Sequence, residues 1–195
     1  MKIGIMGGTF DPIHNGHLML GHAAYETFSL DQIWFMPNGM PPHKKQSSIE
    51  SDIHERIAMT RIAIKANKQF YLQEYEAKRE KVSYSYKTME HFRKIYPDDE
   101  FYFIIGADSL FSIETWKHPE RLFKACIILA ACRDEAATKE SLNGQIQMLK
   151  GKYGAYIKFL AMPLEHVSSH EIRKLIESGE PVSEYIPAEV EAYIR

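Results

Sequence analysis

Gly7-Gly8-Thr9-Phe10-Asp11-Pro12-Ile13-His14-Asn15-Gly16-His17 follows directly on an apolar run, and sets two imidazoles three residues apart at the mouth of a helical pattern. A strand, a glycine-rich turn and a helix start make an anion site, because backbone N–H groups face the ligand and the helix dipole favours negative charge. The turn lacks the Gly-Lys-Ser/Thr of a Walker A loop and the G-x-G-x-x-G spacing of a dinucleotide loop. Zinc would need a third ligand, and a helical metal pair is more usually spaced i, i+4; His22 lies five residues past His17, turned away from it. Two readings remain. The rings cap the helix, or they serve a phosphate whose charge would raise an imidazole above its usual pKa of ~6.5 and let it donate to oxygens that gain charge during a transfer. Phosphate-type geometry beside a predicted cleft favours the second.

Other residues have side chains suited to the same chemistry. Ser168-Ser169-His170-Glu171 is a capping box ahead of an apolar helix, a sufficient structural reason for Ser168 and Glu171. A capped helix still offers free N–H groups to a phosphate, so Ser168 and Ser169 fit both roles. Arg173, one turn further on, is either a solvated helix charge or a planar fork for phosphate oxygens; phosphate is favoured. Gly106 and Asp108 close an apolar run, where Asp108 would cap the next turn, meet a ribose hydroxyl or hold a water of a hydrated cation. Lys44 is either a solvated loop charge or, in the stiff Pro41-Pro42-His43 frame, a partner for a substrate phosphate or carboxylate. Trp116, in a polar loop, is a surface-packed ring or one that stacks on a flat base.

These residues need a scaffold, and hydrophobic patterning supplies one. Apolar β-rich runs recur at Ile3–Met6, Gln32–Pro37, Phe70–Glu74, Glu100–Gly106, Cys126–Ala131 and Tyr156–Met162. Helical periodicity falls between or after them, at His17–Phe28, Ile53–Ala66, Ser85–Ile95, Pro119–Lys124, Lys139–Lys150, Ser169–Glu177 and Pro187–Ile194. The alternation predicts an α/β fold, a Rossmann-like doubly wound parallel sheet with helices on both faces. Ligands of such sheets sit outside the carboxyl ends of the strands, where the opening motif and the Asn38–Lys45 and Asp108–His118 connections begin.

With 195 residues and no internal repeat or linker, residues 1–195 are expected to form a single domain. A formal charge of −2 provides no cationic field for a nucleic-acid backbone, so any anion must be gripped locally and no nucleic-acid partner is expected. Cys126 and Cys132 bracket an apolar run and read as small core residues in a reducing compartment. No apolar stretch reaches the ~18 residues of a membrane helix and the N-terminus lacks a signal-peptide core, so a cytoplasmic protein with no membrane partner is expected. A homo-oligomer is left open.

The opening segment resembles the (T/H)xGH motif of the nucleotidylyltransferase superfamily. Four further blocks are similar to those of bacterial nicotinate-nucleotide adenylyltransferases: Pro37-Asn38-Gly39-Met40-Pro41-Pro42-His43-Lys44, Ser83-Tyr84-Ser85-Tyr86-Lys87-Thr88, Phe103-Ile104-Ile105-Gly106-Ala107-Asp108 with Trp116 downstream, and Val167-Ser168-Ser169-His170-Glu171-Ile172-Arg173. Ser85 and His170 stand where the family has threonine; serine keeps a hydroxyl, and His170 is assigned no role.

The resemblance implies that nicotinate mononucleotide attacks the α-phosphorus of ATP, forming nicotinate adenine dinucleotide and pyrophosphate, with Mg²⁺ arriving on the ATP phosphates and water. His14, His17 and Arg173 are the expected catalytic residues. Gly7, Gly8, Thr9, Phe10, Gly106, Asp108, Ser168 and Ser169 join them around ATP, and Thr9, Lys44, Ser85 and Trp116 around the mononucleotide. Pantetheine-phosphate adenylyltransferases share the opening motif, but their flexible substrate gives no reason for a Pro-Pro-His-Lys loop or a stacking tryptophan. Class I aminoacyl-tRNA synthetases share a related HxGH, but this chain has no K-M-S-K-S segment or basic surface. An inert nucleotide sensor would be expected to have lost His14, His17 or Arg173, all of which are present.

Overall fold

The computed structural model describes residues 1–40, 49–79, 81–133, 136–162 and 168–195. Along the chain run β1 (Lys2–Gly8), α1 (Asn15–Phe28), β2 (Gln32–Pro37), α2 (Ile53–Ile64), β3 (Phe70–Leu72), α3 (Ser85–Ile95) and β4 (Glu100–Gly106). They are followed by α4 (Ala107–Ser112), a 3-10 turn (Ile113–Thr115), α5 (Pro119–Ala125), β5 (Ile127–Arg133), α6 (Ala136–Tyr153), β6 (Ile157–Met162), α7 (Ser169–Glu177) and α8 (Ala188–Ile194). The strands form one six-stranded sheet in the order β3-β2-β1-β4-β5-β6. Strand order reverses between β1 and β4, as in a doubly wound sheet.

The chain divides into two compact units. The first comprises Met1–Met6, His22–Ile33 and Tyr84–Leu164. Here β1 pairs with β4, β4 with β5 and β5 with β6, all parallel, with Ile5 opposite Phe103 and Phe103 opposite Ile128. Strand β4, Glu-Phe-Tyr-Phe-Ile-Ile-Gly, is buried at every position but its ends. A strand covered on both faces needs such a continuous apolar run, and Ile3, Ile5, Ile128, Leu129 and Leu160 complete the core around it.

The second unit comprises Gly7–Gly21, Trp34–Ser83 and Glu165–Arg195. Its core includes Phe10, Ile13, Phe35, Met36, Met59, Ile172, Val182, Ile186 and Val190, each at most 2% exposed. Helix α2 starts in a capping box between Asp52 and Glu55, which adds about 1 kcal/mol to helix stability.

Several boundaries differ from those read in the sequence. Strand β1 runs on through both glycines, and the Gly8 carbonyl accepts from Asn38 N–H at 2.9 Å. Strand β3 stops at Leu72, because Tyr75 N–H donates to Gln73 Oε1 and turns the chain. The Asp108–His118 connection is largely helical, as Leu110 and Ile113, one turn apart, are both fully buried and anchor it. Helix α6 begins at Ala136, three residues ahead of the expected start.

Candidate active site

In the second unit, the segment after β1 is held down by one aromatic anchor. Phe10 is 2% exposed, lies 6.0 Å from Phe35 between ring centroids, and meets His17 edge-on at 5.0 Å. A Cβ at Gly8 would come within 2.7 Å of the Phe10 ring, so the second glycine is needed for this packing. Gly8 thus has a packing role beside the place around ATP that the sequence implies for both glycines. Phe10 has φ of 50°, a left-handed conformation rare for a bulky residue and of the kind concentrated at functional sites.

Two residues past the cis Asp11–Pro12 peptide stands His14. Its ring lies against that of His17, with centroids 3.7 Å apart and planes 32° apart. His17 Nδ1 accepts from His14 N–H at 3.2 Å, which places the proton of a neutral His17 ring on Nε2. His14 Nδ1 is buried and has no hydrogen-bond partner among the described residues, and burial pushes the His14 pKa down to about 4. In the ligand-free protein this ring is therefore neutral near pH 7, whereas the sequence reading considered only the upward pull of a nearby phosphate.

Helix α7 brings residues from the far end of the chain to this turn. Its Ser168–Glu171 capping box forms: Ser168 Oγ accepts from Glu171 N–H, and Ser168 N–H donates to the Glu171 carboxylate. Ser169 Oγ donates to the Pro12 carbonyl at 2.9 Å, and Arg173 Nη1 to the Asp11 carbonyl at 2.6 Å. Fully buried Ile172 sits between these two contacts in sequence and supplies the apolar side of the helix, stabilising it by ~2 kcal/mol.

Three residues that sequence reasoning missed organise the same ground. Asp11, 2% exposed, accepts from Glu50 N–H and Ser51 N–H at 2.9 and 3.3 Å. Glu50 Oε1 lies 2.8 Å from Arg173 Nε, an ion pair too far off the N–H line to be a hydrogen bond. Arg56, also 2% exposed, donates through Nη1 to the carbonyls of Thr9 and Asn38 at 2.7 and 2.9 Å. Burial lowers the Arg56 pKa, while the charges of Asp11 and Asp52 raise it. One signal for Arg56 was present: it shares a helical face with Met59, Thr60 and Ala63, a cation in a buried stripe.

The remaining candidates lie in the first unit or outside the described residues. Gly106 is the N-cap of α4, exposed, with open space where a Cβ would stand, and Asp108 is exposed in the first turn of that helix. Ser85 opens α3, whose N-cap, Tyr84, makes no side-chain hydrogen bond to it. Trp116 is half-buried and edge-on to Phe103, 6.5 Å between centroids. Lys44 lies outside the described residues, as does His43. Among the described residues no cluster of three His, Cys, Asp or Glu side chains is placed to hold a metal ion.

Donors around a turn, with a helix N-terminus and an arginine beside it, make a receptor for phosphate oxygens, and known proteins agree with that chemistry. The family model described as cytidylyltransferase-like matches residues 5–175. A probable nicotinate-nucleotide adenylyltransferase of Clostridium kluyveri is 39% identical over 192 residues, covering 97% of this chain and 94% of its own. Its counterpart in Carboxydothermus hydrogenoformans is 42% identical over 193 residues, with 99% and 94% covered. Among solved structures, a Plasmodium falciparum nicotinic acid mononucleotide adenylyltransferase complexed with NaAD superposes with a TM-score of 0.80 at 21% identity, covering 99% of this chain and 94% of that one. This chain belongs to the cytidylyltransferase-like family and, within it, to the nicotinate-nucleotide adenylyltransferases.

Proposed function

We infer that this protein transfers the adenylyl group of ATP to nicotinate mononucleotide, giving nicotinate adenine dinucleotide and pyrophosphate. The observation that carries the reading is the meeting of α7 with the opening turn, where Arg173 and Ser169 bond the carbonyls of Asp11 and Pro12 beside the stacked His14 and His17. Full-length relatives at about 40% identity bearing this activity in their names support the choice of substrates.

The attacking 5′-phosphate is anionic near neutrality, so no general base is needed. Catalysis reduces to in-line positioning and stabilisation of charge on the α-phosphate oxygens. His17 Nε2–H donates to one of those oxygens, the Nδ1 acceptor bond holding the ring in the donating tautomer. His14 turns its buried ring nitrogen to a second, and the arriving negative charge draws its pKa back up from about 4. Arg173 and the N-terminus of α7, with Ser168 and Ser169, hold the departing pyrophosphate. Gly7, Gly8, Thr9 and Phe10 line the nucleotide, and Gly106 and Asp108 serve its ribose side. For the mononucleotide, Ser85 N–H meets the carboxylate, Trp116 stacks on the pyridine, and Lys44 neutralises charge.

Nucleotidyltransferases of this kind use a divalent cation; Mg²⁺ arriving with ATP would supply charge neutralisation on the triphosphate. The cationic and neutral donors of the second unit suit the phosphates, not the ion. Interleaving of the two units along the chain supports residues 1–195 as one nucleotidylyltransferase domain. Among the described residues no helix is long and apolar enough to cross a membrane, and both cysteines are buried thiols outside any disulfide, which fits a cytoplasmic enzyme acting on small molecules.

Pyrophosphate release from ATP with nicotinate mononucleotide, nicotinamide mononucleotide and phosphopantetheine as rival acceptors tests the assignment. The first should give the highest kcat/KM; highest turnover of phosphopantetheine would overturn it.

A further inference from the structure

Arg56 is a charged side chain placed almost wholly out of water, and among the described residues the groups it bonds, both through Nη1, are the backbone carbonyls of Thr9 and Asn38. A buried guanidinium is costly to desolvate and is retained where its planar donors hold a specific geometry. The geometry held here is that of a peptide plane. In a trans peptide the C=O and N–H of one unit point in opposite directions. The Thr9 carbonyl and the Phe10 N–H belong to the same unit, so an Arg56 that draws the carbonyl inward turns the Phe10 N–H outward. The preceding unit is treated in the same way, its Gly8 carbonyl taken by Asn38 N–H at 2.9 Å. Asn38 is in turn held by Arg56 through its own carbonyl, so one hub fixes two successive peptide planes. Phe10 N–H has no hydrogen-bond partner among the described residues, and Phe10 itself is kept at φ of 50°, a conformation that needs outside support.

We propose that Arg56 is a positioning residue for adenylyl transfer, locking the Thr9–Phe10 peptide so that the Phe10 N–H is presented to an ATP phosphate oxygen. The inference rests on the adenylyltransferase reading given above. A preorganised backbone donor of this kind contributes to the transition state more than to ground-state binding. Both bonds leave from one nitrogen, Nη1, at the far end of the side chain; lysine keeps the charge, but its side chain is one bond shorter, so its nitrogen falls short of the point from which Nη1 reaches both carbonyls.

Two measurements test it. The first is steady-state kinetics and thermal unfolding of Arg56→Lys. If the variant folds, kcat should fall ~10- to 100-fold while KM for nicotinate mononucleotide changes less than ~3-fold; a folded variant with wild-type kcat overturns the proposal. The second is backbone amide and histidine ring NMR of the wild-type protein titrated with a non-hydrolysable ATP analogue. The Phe10 amide proton should move downfield, and in Arg56→Lys that movement should shrink while the His17 ring shifts persist. A wild-type Phe10 amide that stays put while His17 responds overturns the proposal even if the variant does not fold. Silence at both His17 and Phe10 would bring down the ATP reading of the site, and this inference with it.

Discussion

Arg173 is not idle before phosphate arrives. It donates to the Asp11 carbonyl and pairs with the Glu50 carboxylate at 2.8 Å, so a pyrophosphate oxygen must displace or join an existing partner. The Glu50 side chain is half exposed, and such a pair contributes little, on the order of 0.2–1 kcal/mol. Glu50→Gln should therefore lower KM for ATP by up to ~5-fold with kcat unchanged; a raised KM would mean that Glu50 assists binding. His17 has the opposite profile. Its Nε2–H is oriented by a backbone bond and its ring is backed by Phe10 and His14, so His17→Ala should cost ~10²- to 10³-fold in kcat with only modest weakening of ATP binding, read by steady-state kinetics and calorimetry. Near-normal turnover would remove His17 from the mechanism. His14, His17 and Arg173 stood out in the sequence because their types and motif spacing are unusual. Asp11 and Glu50 did not, since an acidic residue before proline or in a polar loop has ordinary explanations, and only the burial of Asp11 and the pairing of Glu50 with Arg173 reveal otherwise.

At the scale of elements, α7 links the two ends of the chain. Its start was legible in Ser168-Ser169-His170-Glu171, because a capping box is a local pattern that needs no tertiary contact to be recognised. Its destination was not: Ser169 and Arg173 bond carbonyls about 160 positions away, and no local rule selects that partner. Ser168→Ala removes the Oγ acceptor for Glu171 N–H and should cost ~1 kcal/mol, a fall in Tm of about 2–4 °C by calorimetry. KM for ATP should rise as well, because fraying of the first turn loosens Arg173; an unchanged KM would show that the cap is purely structural. Helix α2 gives the complementary case. Its extent was readable from periodicity and its Asp52–Glu55 capping box is as local as that of α7, yet its buried Arg56 acquired its meaning only from its bonds to the Thr9 and Asn38 carbonyls.

For the whole molecule, His14 couples folding to pH. Its folded pKa is about 4 and that of the unfolded chain ~6.5, so between these values the unfolded state binds more protons. The stability tied to a neutral buried ring is complete above pH ~6.5 and lost as pH falls towards 4, on the order of 3 kcal/mol in all. Urea unfolding at pH 7.5 and 4.5 should show wild type losing ~2–3 kcal/mol more than His14→Gln. Equal losses in the two proteins would mean that His14 is solvated. The α/β class, the parallel sheet and the chemical family were determined by the sequence alone, because periodicity, capping patterns and motif spacing are properties of neighbouring residues. Only the tertiary structure decided that Gly8 makes room for Phe10, that Arg56 serves Thr9 and Asn38, that Arg173 waits on Asp11 and Glu50, and that His14 is neutral. Each depends on burial and on partners distant in sequence, and burial sets both the cost of a charge and the direction in which a backbone N–H is left to point.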